Sequence, residues 1–60
     1  MAKFTLEIRC DNAAFVGDPQ AEIARILRDA ANAVETQAHG TLRDVNGNRV
    51  GTFTLTGATA

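Results

Sequence analysis

The sequence predicts an α+β domain of βαββ order, with one amphipathic helix packed on a three-stranded, mainly antiparallel sheet of strand order 2-3-1. Three observations predict it. Apolar and polar residues alternate over residues 3–10. Apolar residues then recur at three- and four-residue spacing after Asp18-Pro19. Finally, two runs with alternating character flank Asn46-Gly47, a strong short-range hairpin signal. All 60 residues form one small domain, comprising a strand over 3–10, a helix over 19–39 and a hairpin over 41–56.

In the first run, KFTLEIRC, Phe4, Leu6, Ile8 and Cys10 share one face, while Lys3, Thr5, Glu7 and Arg9 share the other. A period of two with one wet face is the mark of a half-buried strand. Cys10 belongs to the apolar set and is expected to fill the core. A reactive thiol would need a neighbouring base or cation, and Arg9 points the opposite way.

The next segment, DNAAFVGDPQ, breaks the alternation, with Asp11-Asn12 able to turn the chain and Gly17 to loosen it. Either Phe15 or Val16 is expected to tuck over the end of the core ahead of the helix. Asp18 is a good N-cap. Pro19 suits the first helical position, where its missing N–H would have had no partner. Glu22 favours the positive end of the helix dipole. Ile23, Ile26, Leu27, Ala30, Val34 and Ala38 then form the apolar row, opposite Glu22, Arg25, Arg28, Asp29, Asn32 and Glu35. Arg25 and Asp29 stand at i,i+4. Gly40 is expected to stop the helix, with His39 meeting its last carbonyls. Ala24, Ala31 and Ala33 widen the apolar arc to nearly half the circumference. Either alanine serves there as the best helix former, or a second surface, such as the same helix of another subunit, approaches closely.

In the hairpin, a two-residue loop at Asn46-Gly47 places Val45 opposite Asn48, Asp44 opposite Arg49, Arg43 opposite Val50 and Leu42 opposite Gly51. Leu42, Phe53 and Leu55 then face the helix, while Arg43, Val45, Val50, Thr52 and Thr54 face outward. The competing three-residue loop with a bulge suits Asp44 at the start of a type I turn, but moves Leu42 opposite Val50. The first register keeps Leu42 with Phe53 and Leu55 and is preferred. The tail GATA is expected to fray.

Asp44, Asn46 and Asn48 also alternate as oxygen ligands do in a calcium loop. Such a loop needs glycine at its sixth position and a bidentate glutamate at its twelfth. Here those positions hold Arg49 and Leu55, so the turn reading is preferred. One cysteine and one histidine leave no disulfide within the chain and no four-ligand zinc cluster. The glycines form no phosphate loop, and no serine is present for a nucleophile. The formal net charge of -1 is spread along the chain, and this argues against the basic stripe of a nucleic-acid binder. No signal segment or membrane span is evident, so a cytoplasmic setting is expected.

The segments KFTLEI, CDNAAF, DPQAEIARILRDAANAVE and GTLRDVNGNRVGTFTL, in that order, resemble small uncharacterised proteins encoded by bacteriophages and prophages. NAAF and LRDVNGNRVG are the specific parts of the likeness. The resemblance implies a phage-associated, intracellular setting and carries no catalytic or binding residues.

A domain this small buries only about 60% of its unfolded surface, so self-association is the expected source of further stability. The expectation is a non-enzymatic interaction module without cofactor, acting as a homodimer on a host or phage protein. Its contact surface would comprise Arg43, Val45, Val50, Thr52 and Thr54. The alternative is a nucleic-acid-binding accessory protein that aligns Arg9, Arg43 and Arg49 of two chains on one sheet face.

Overall fold

In a computed structural model, which describes residues 1–57, the chain runs β1 (Lys3–Ile8), a short 3-10 turn η1 (Ala13–Phe15), α1 (Pro19–Val34), β2 (His39–Arg43) and β3 (Arg49–Thr56). The three strands form one sheet with β3 in the middle, antiparallel to both neighbours. This is the expected order, read from the other edge. Of the tail GATA that is expected to fray, residues 58–60 lie outside the described residues.

The helix begins where its caps dictate. The Asp18 side chain accepts a hydrogen bond from the Ala21 N–H at 3.0 Å, and Pro19 occupies the first turn. It ends earlier than expected, at Val34. Thr36 and Gln37 N–H both donate to the Ala33 carbonyl, closing the last turn. His39 and Gly40 therefore lie in β2, where they pair with Thr54 and Phe53, and neither caps the helix. Glycine at position 40 answers a packing demand, because a Cβ there would stand 2.6 Å from the Phe53 ring. The extra strand residues come at the expense of a shorter helix, since the paired backbone of β2 and the Phe53 ring beneath Gly40 compete for the same segment.

The core consists of Phe15, Ile26, Ala30, Leu42, Val50 and Phe53, with Leu6, Ile8, Ile23, Ala33 and Val34 packed against it. Of the two loop residues, Phe15 is the one that tucks in, and Val16 is exposed. The Asn12 side chain caps η1 by accepting from the Ala14 N–H at 3.0 Å, which turns Phe15 inward. Cys10 lies beyond the end of β1 and is exposed, contrary to its expected core role, because the last backbone bond to β3 is that of the Arg9 N–H to the Val50 carbonyl and the strand does not continue to residue 10. Periodicity places Phe4 and Leu27 inside, but both are half-exposed.

The hairpin departs from the preferred register between its tip and Arg43, while Leu42 lies opposite Gly51 as that register places it. The Asp44 N–H donates to the Asn48 carbonyl at 2.9 Å, and the Gly47 N–H donates to the Asp44 carbonyl at 3.0 Å. The loop therefore spans three residues, Val45 to Gly47, with Gly47 at φ 84, which is the competing geometry. A second irregularity then intervenes: Arg43 pairs with Arg49, and Leu42 with Gly51. Val50 is the extra residue of that bulge. The bulge restores Leu42 to the Phe53 side and turns Val50 into the core, so the expectation of Val50 on the outer face is corrected.

Candidate functional site

Three surfaces of the domain carry enough organisation to be considered. The first is a polar tie between the helix and the hairpin tip. Glu22 and Asp44 are the buried charged side chains among the described residues. Glu22 accepts from Arg25 Nε at 2.9 Å, from Arg25 Nη2 at 3.0 Å and from the Val45 N–H at 2.7 Å. Arg25 also donates to Asp29 at 3.0 Å and to the Arg43 carbonyl at 3.1 Å. Asp44 Oδ1 accepts from the N–H groups of Asn46 and Asn48, both at 2.9 Å, while Oδ2 accepts from the side chains of Asn12 at 2.6 Å and Asn48 at 3.3 Å.

These bonds explain the ionisation of both carboxyls. The Arg25 guanidinium holds Glu22 below the usual glutamate range, against the opposing effect of burial, with help from the Val45 N–H. For Asp44, burial pushes upward, but the donors from Asn48, Asn12 and Asn46 together outweigh it and hold the carboxyl low. The alternation of Asp44, Asn46 and Asn48 thus serves an Asx-type turn. Both Asp44 oxygens are occupied by N–H donors, and among the described residues no three His, Cys, Asp or Glu side chains gather as a metal would require. The sequence showed Arg25 with Asp29, but not the roles of Glu22 and Asn12. The i,i+3 spacing of Glu22 and Arg25 was the available signal.

The second surface is the outer face of the sheet, where the expected contact residues divide. Thr52 and Thr54 are exposed there, opposite Thr41 and His39 on β2 and opposite Glu7 and Thr5 on β1. Arg43 is exposed at one end, and its Nη1 donates to the Gly47 carbonyl at 3.1 Å. Val45 projects from the hairpin tip, 65% exposed. Val50 leaves the set for the core. At the same end of the sheet Arg43 lies opposite Arg49, and the Arg9 N–H donates to the Val50 carbonyl at 2.8 Å, so three arginines lie at one end of the sheet.

The third surface is an apolar trough on the helix side. The nearest neighbours of α1 are β2 and η1, so its β1 flank is left open. A trough of about 180 Å³ runs there, lined by Phe4, Leu6, Leu27, Ala30, Ala31 and Val34. The Phe4 ring rests against Phe53, with centroids 6.0 Å apart, and is 48% exposed; Leu27 opposite is 44% exposed. The trough borders the free edge of β1.

Fold and surfaces together define a two-layer α+β domain with a covered polar tie and an uncovered apolar edge. Compared with protein-family models, curated proteins and solved structures, the chain has no match. No helix among the described residues is long and apolar enough to cross a membrane.

Proposed function

We propose that the chain is a non-enzymatic interaction module, phage- or prophage-associated and cytoplasmic, that works as a homodimer and contacts a host or phage protein through the outer face of its sheet. The observation that carries the reading is the apolar trough between Phe4 and Leu27 beside an open strand edge. Large side chains half-exposed in one continuous patch mark an association surface more often than a solvated one. The polar groups that could have formed a reactive site, Glu22, Arg25 and Asp44, are occupied in holding the hairpin to the helix. The outer face, with Thr52, Thr54 and Arg43, stays free in such a dimer for a further partner.

Sedimentation equilibrium between about 1 and 100 μM tests the dimer. A mass of two chains, falling toward one on dilution, is the expected result, and a monomer throughout the range overturns the reading.

A second reading, as a nucleic-acid-binding accessory protein, is favoured by the end of the sheet that carries Arg9, Arg43 and Arg49. Fluorescence anisotropy with duplex and single-stranded DNA at two salt concentrations decides it. Binding through phosphates weakens steeply with salt, and no binding at low salt removes this reading.

A further inference from the structure

We infer that two copies of this chain join through the free edge of β1, antiparallel and centred on Thr5, into one continuous six-stranded sheet. This inference rests on the homodimer reading and deepens it by assigning the edge and the register.

The parity of β1 sets which groups are available. The Arg9 N–H bonds to the Val50 carbonyl, and the pairing continues as Glu7 with Thr52, Thr5 with Thr54 and Lys3 with Thr56. In an antiparallel ladder, alternate residues turn both their backbone groups to the same neighbour. Residues 5, 7 and 9 therefore serve β3, and Phe4, Leu6 and Ile8 present their N–H and C=O groups to the open edge. That edge is six residues long and is paired without a bulge. The β2 edge is a poorer template. It is five residues long, it carries the Leu42/Arg43 irregularity, and its Arg43 carbonyl is taken by Arg25.

A two-fold axis at an edge strand allows two registers near the strand centre that keep the faces matched. Centred on Leu6, Lys3 meets Arg9 of the partner subunit, a like-charge contact. Centred on Thr5, Lys3 meets Glu7 of the partner subunit and Glu7 meets the partner's Lys3, giving two opposite-charge pairs on the outer face. In the same register Phe4 and the partner's Leu6 form the hydrogen-bonded pair on the helix side. Phe4 and Leu6 of both copies then floor one trough, walled by Leu27, Ala31 and Val34 from the two helices. The patch is self-complementary, as a two-fold interface must be. It gives the exposed Phe4 and Leu27 a dry environment and provides a partner for each open backbone group of Phe4 and Leu6.

Charge reversal at Lys3 and Glu7 tests the register. Both side chains are exposed on the outer face, so the fold tolerates the change, and circular dichroism melts verify this. Lys3→Glu and Glu7→Lys, each alone, are expected to weaken dimerisation about tenfold or more, since two attractive pairs become repulsive. A mixture of the two variants regains a dimer, seen by native mass spectrometry as the heterodimer. In it the two introduced side chains, a carboxylate at position 3 and an ammonium at position 7, face each other, and the unchanged Glu7 and Lys3 form the second pair. As a second readout, Thr5→Cys in a Cys10→Ser background forms a disulfide-linked dimer under an added oxidant. Residue 5 faces its own copy there at about 4.5 Å between Cα atoms. Thr54→Cys, on the central strand, does not cross-link. A native chain that dimerises while the charge variants stay unaffected and Thr5→Cys fails to cross-link overturns this edge and register but leaves the homodimer standing. A native chain that is monomeric up to about 100 μM, a range in which an interface of this kind would associate, removes both.

Discussion

Replacing Val50 tests the bulge that reshapes this hairpin. Val50 is 4% exposed and packs in the core with Phe15, Ile26 and Phe53. Val50→Ala deletes two buried methyl groups, about 1.6 kcal/mol of transfer free energy. The cavity left behind raises the cost to about 2–3 kcal/mol. A domain of this length has about 3–9 kcal/mol of total stability, so the loss is a large share of it. Each kcal/mol shifts Tm by about 8 °C at this size, giving a fall of about 15–25 °C. Val50→Thr keeps the shape but buries a hydroxyl, at a cost of about 1–3 kcal/mol where it finds no partner. The control is Thr52→Val, the same exchange in reverse on the exposed face, expected to change stability by less than about 0.5 kcal/mol. Thermal melts by circular dichroism at one fixed protein concentration compare the three, since self-association makes Tm depend on concentration. A Val50→Thr chain that melts with the native one would place Val50 outside and refute the bulged register.

The remaining predictions concern the polar tie and the close strand approach. Glu22 and Asp44 have folded pKa values below their ordinary 4.5 and 3.8, so their contribution is full above those values and is lost as pH falls below them toward the folded values. Tm measured from about pH 6 down to about pH 2, which brackets ordinary carboxyl titration, is therefore expected to drop in the acid range. Asp44→Asn, with a lower Tm at the neutral end, is expected to show a flatter drop. An Asp44→Asn profile parallel to the native one contradicts the assignment. Gly51→Ala would drive a Cβ into the Glu7 carbonyl on β1, where the atoms in its way are backbone atoms of Glu7 and Ile8 and no flexible side chain can give way. A loss of cooperative melting is expected, and a chain that melts within a few degrees of native shows that β1 and β3 are not so closely paired.

Element type and order were legible because they rest on periodicity. Phe4, Leu6 and Ile8 alternate, Ile23, Ile26 and Ala30 recur by threes and fours, and Asp18-Pro19 marks a helix start from local chemistry alone. What was not legible depended on contacts between distant residues. The end of α1 looked like His39-Gly40 because glycine commonly closes helices, yet Gly40 is small to admit the Phe53 ring, thirteen positions along. Val50 read as an outward residue because strict alternation cannot anticipate an inserted one. Cys10 read as core because the alternation of residues 3–10 runs past Arg9, whose N–H makes the last bond to β3. Asn12 carries no periodic signal at all, and only the folded chain brings it to Asp44, thirty-two residues away.

The polar tie and the apolar edge are two consequences of one placement. Glu22 and Arg25 reach the backbone of Val45 and Arg43, and Asn12 reaches Asp44, so the N-terminal half of α1 and its leading loop are held at the hairpin side of the sheet. A helix is only about 10 Å wide with its side chains, while three strands about 4.8 Å apart present a sheet as broad or broader. Drawn toward β2, the helix covers β1 only in part: Leu6 and Ile8 pack against the core, and Phe4 stays half-exposed. Phe4 and Leu27 stay half-exposed for that reason, not because their residue types are misplaced. Buried carboxylates with full sets of donors are costly to disturb in one direction only, since removing a partner strands the charge. The helix is thus held off-centre by interactions that would have to be broken for it to slide over β1. The chain cannot readily close its own trough, and that unfilled edge is what the proposed dimer would cover.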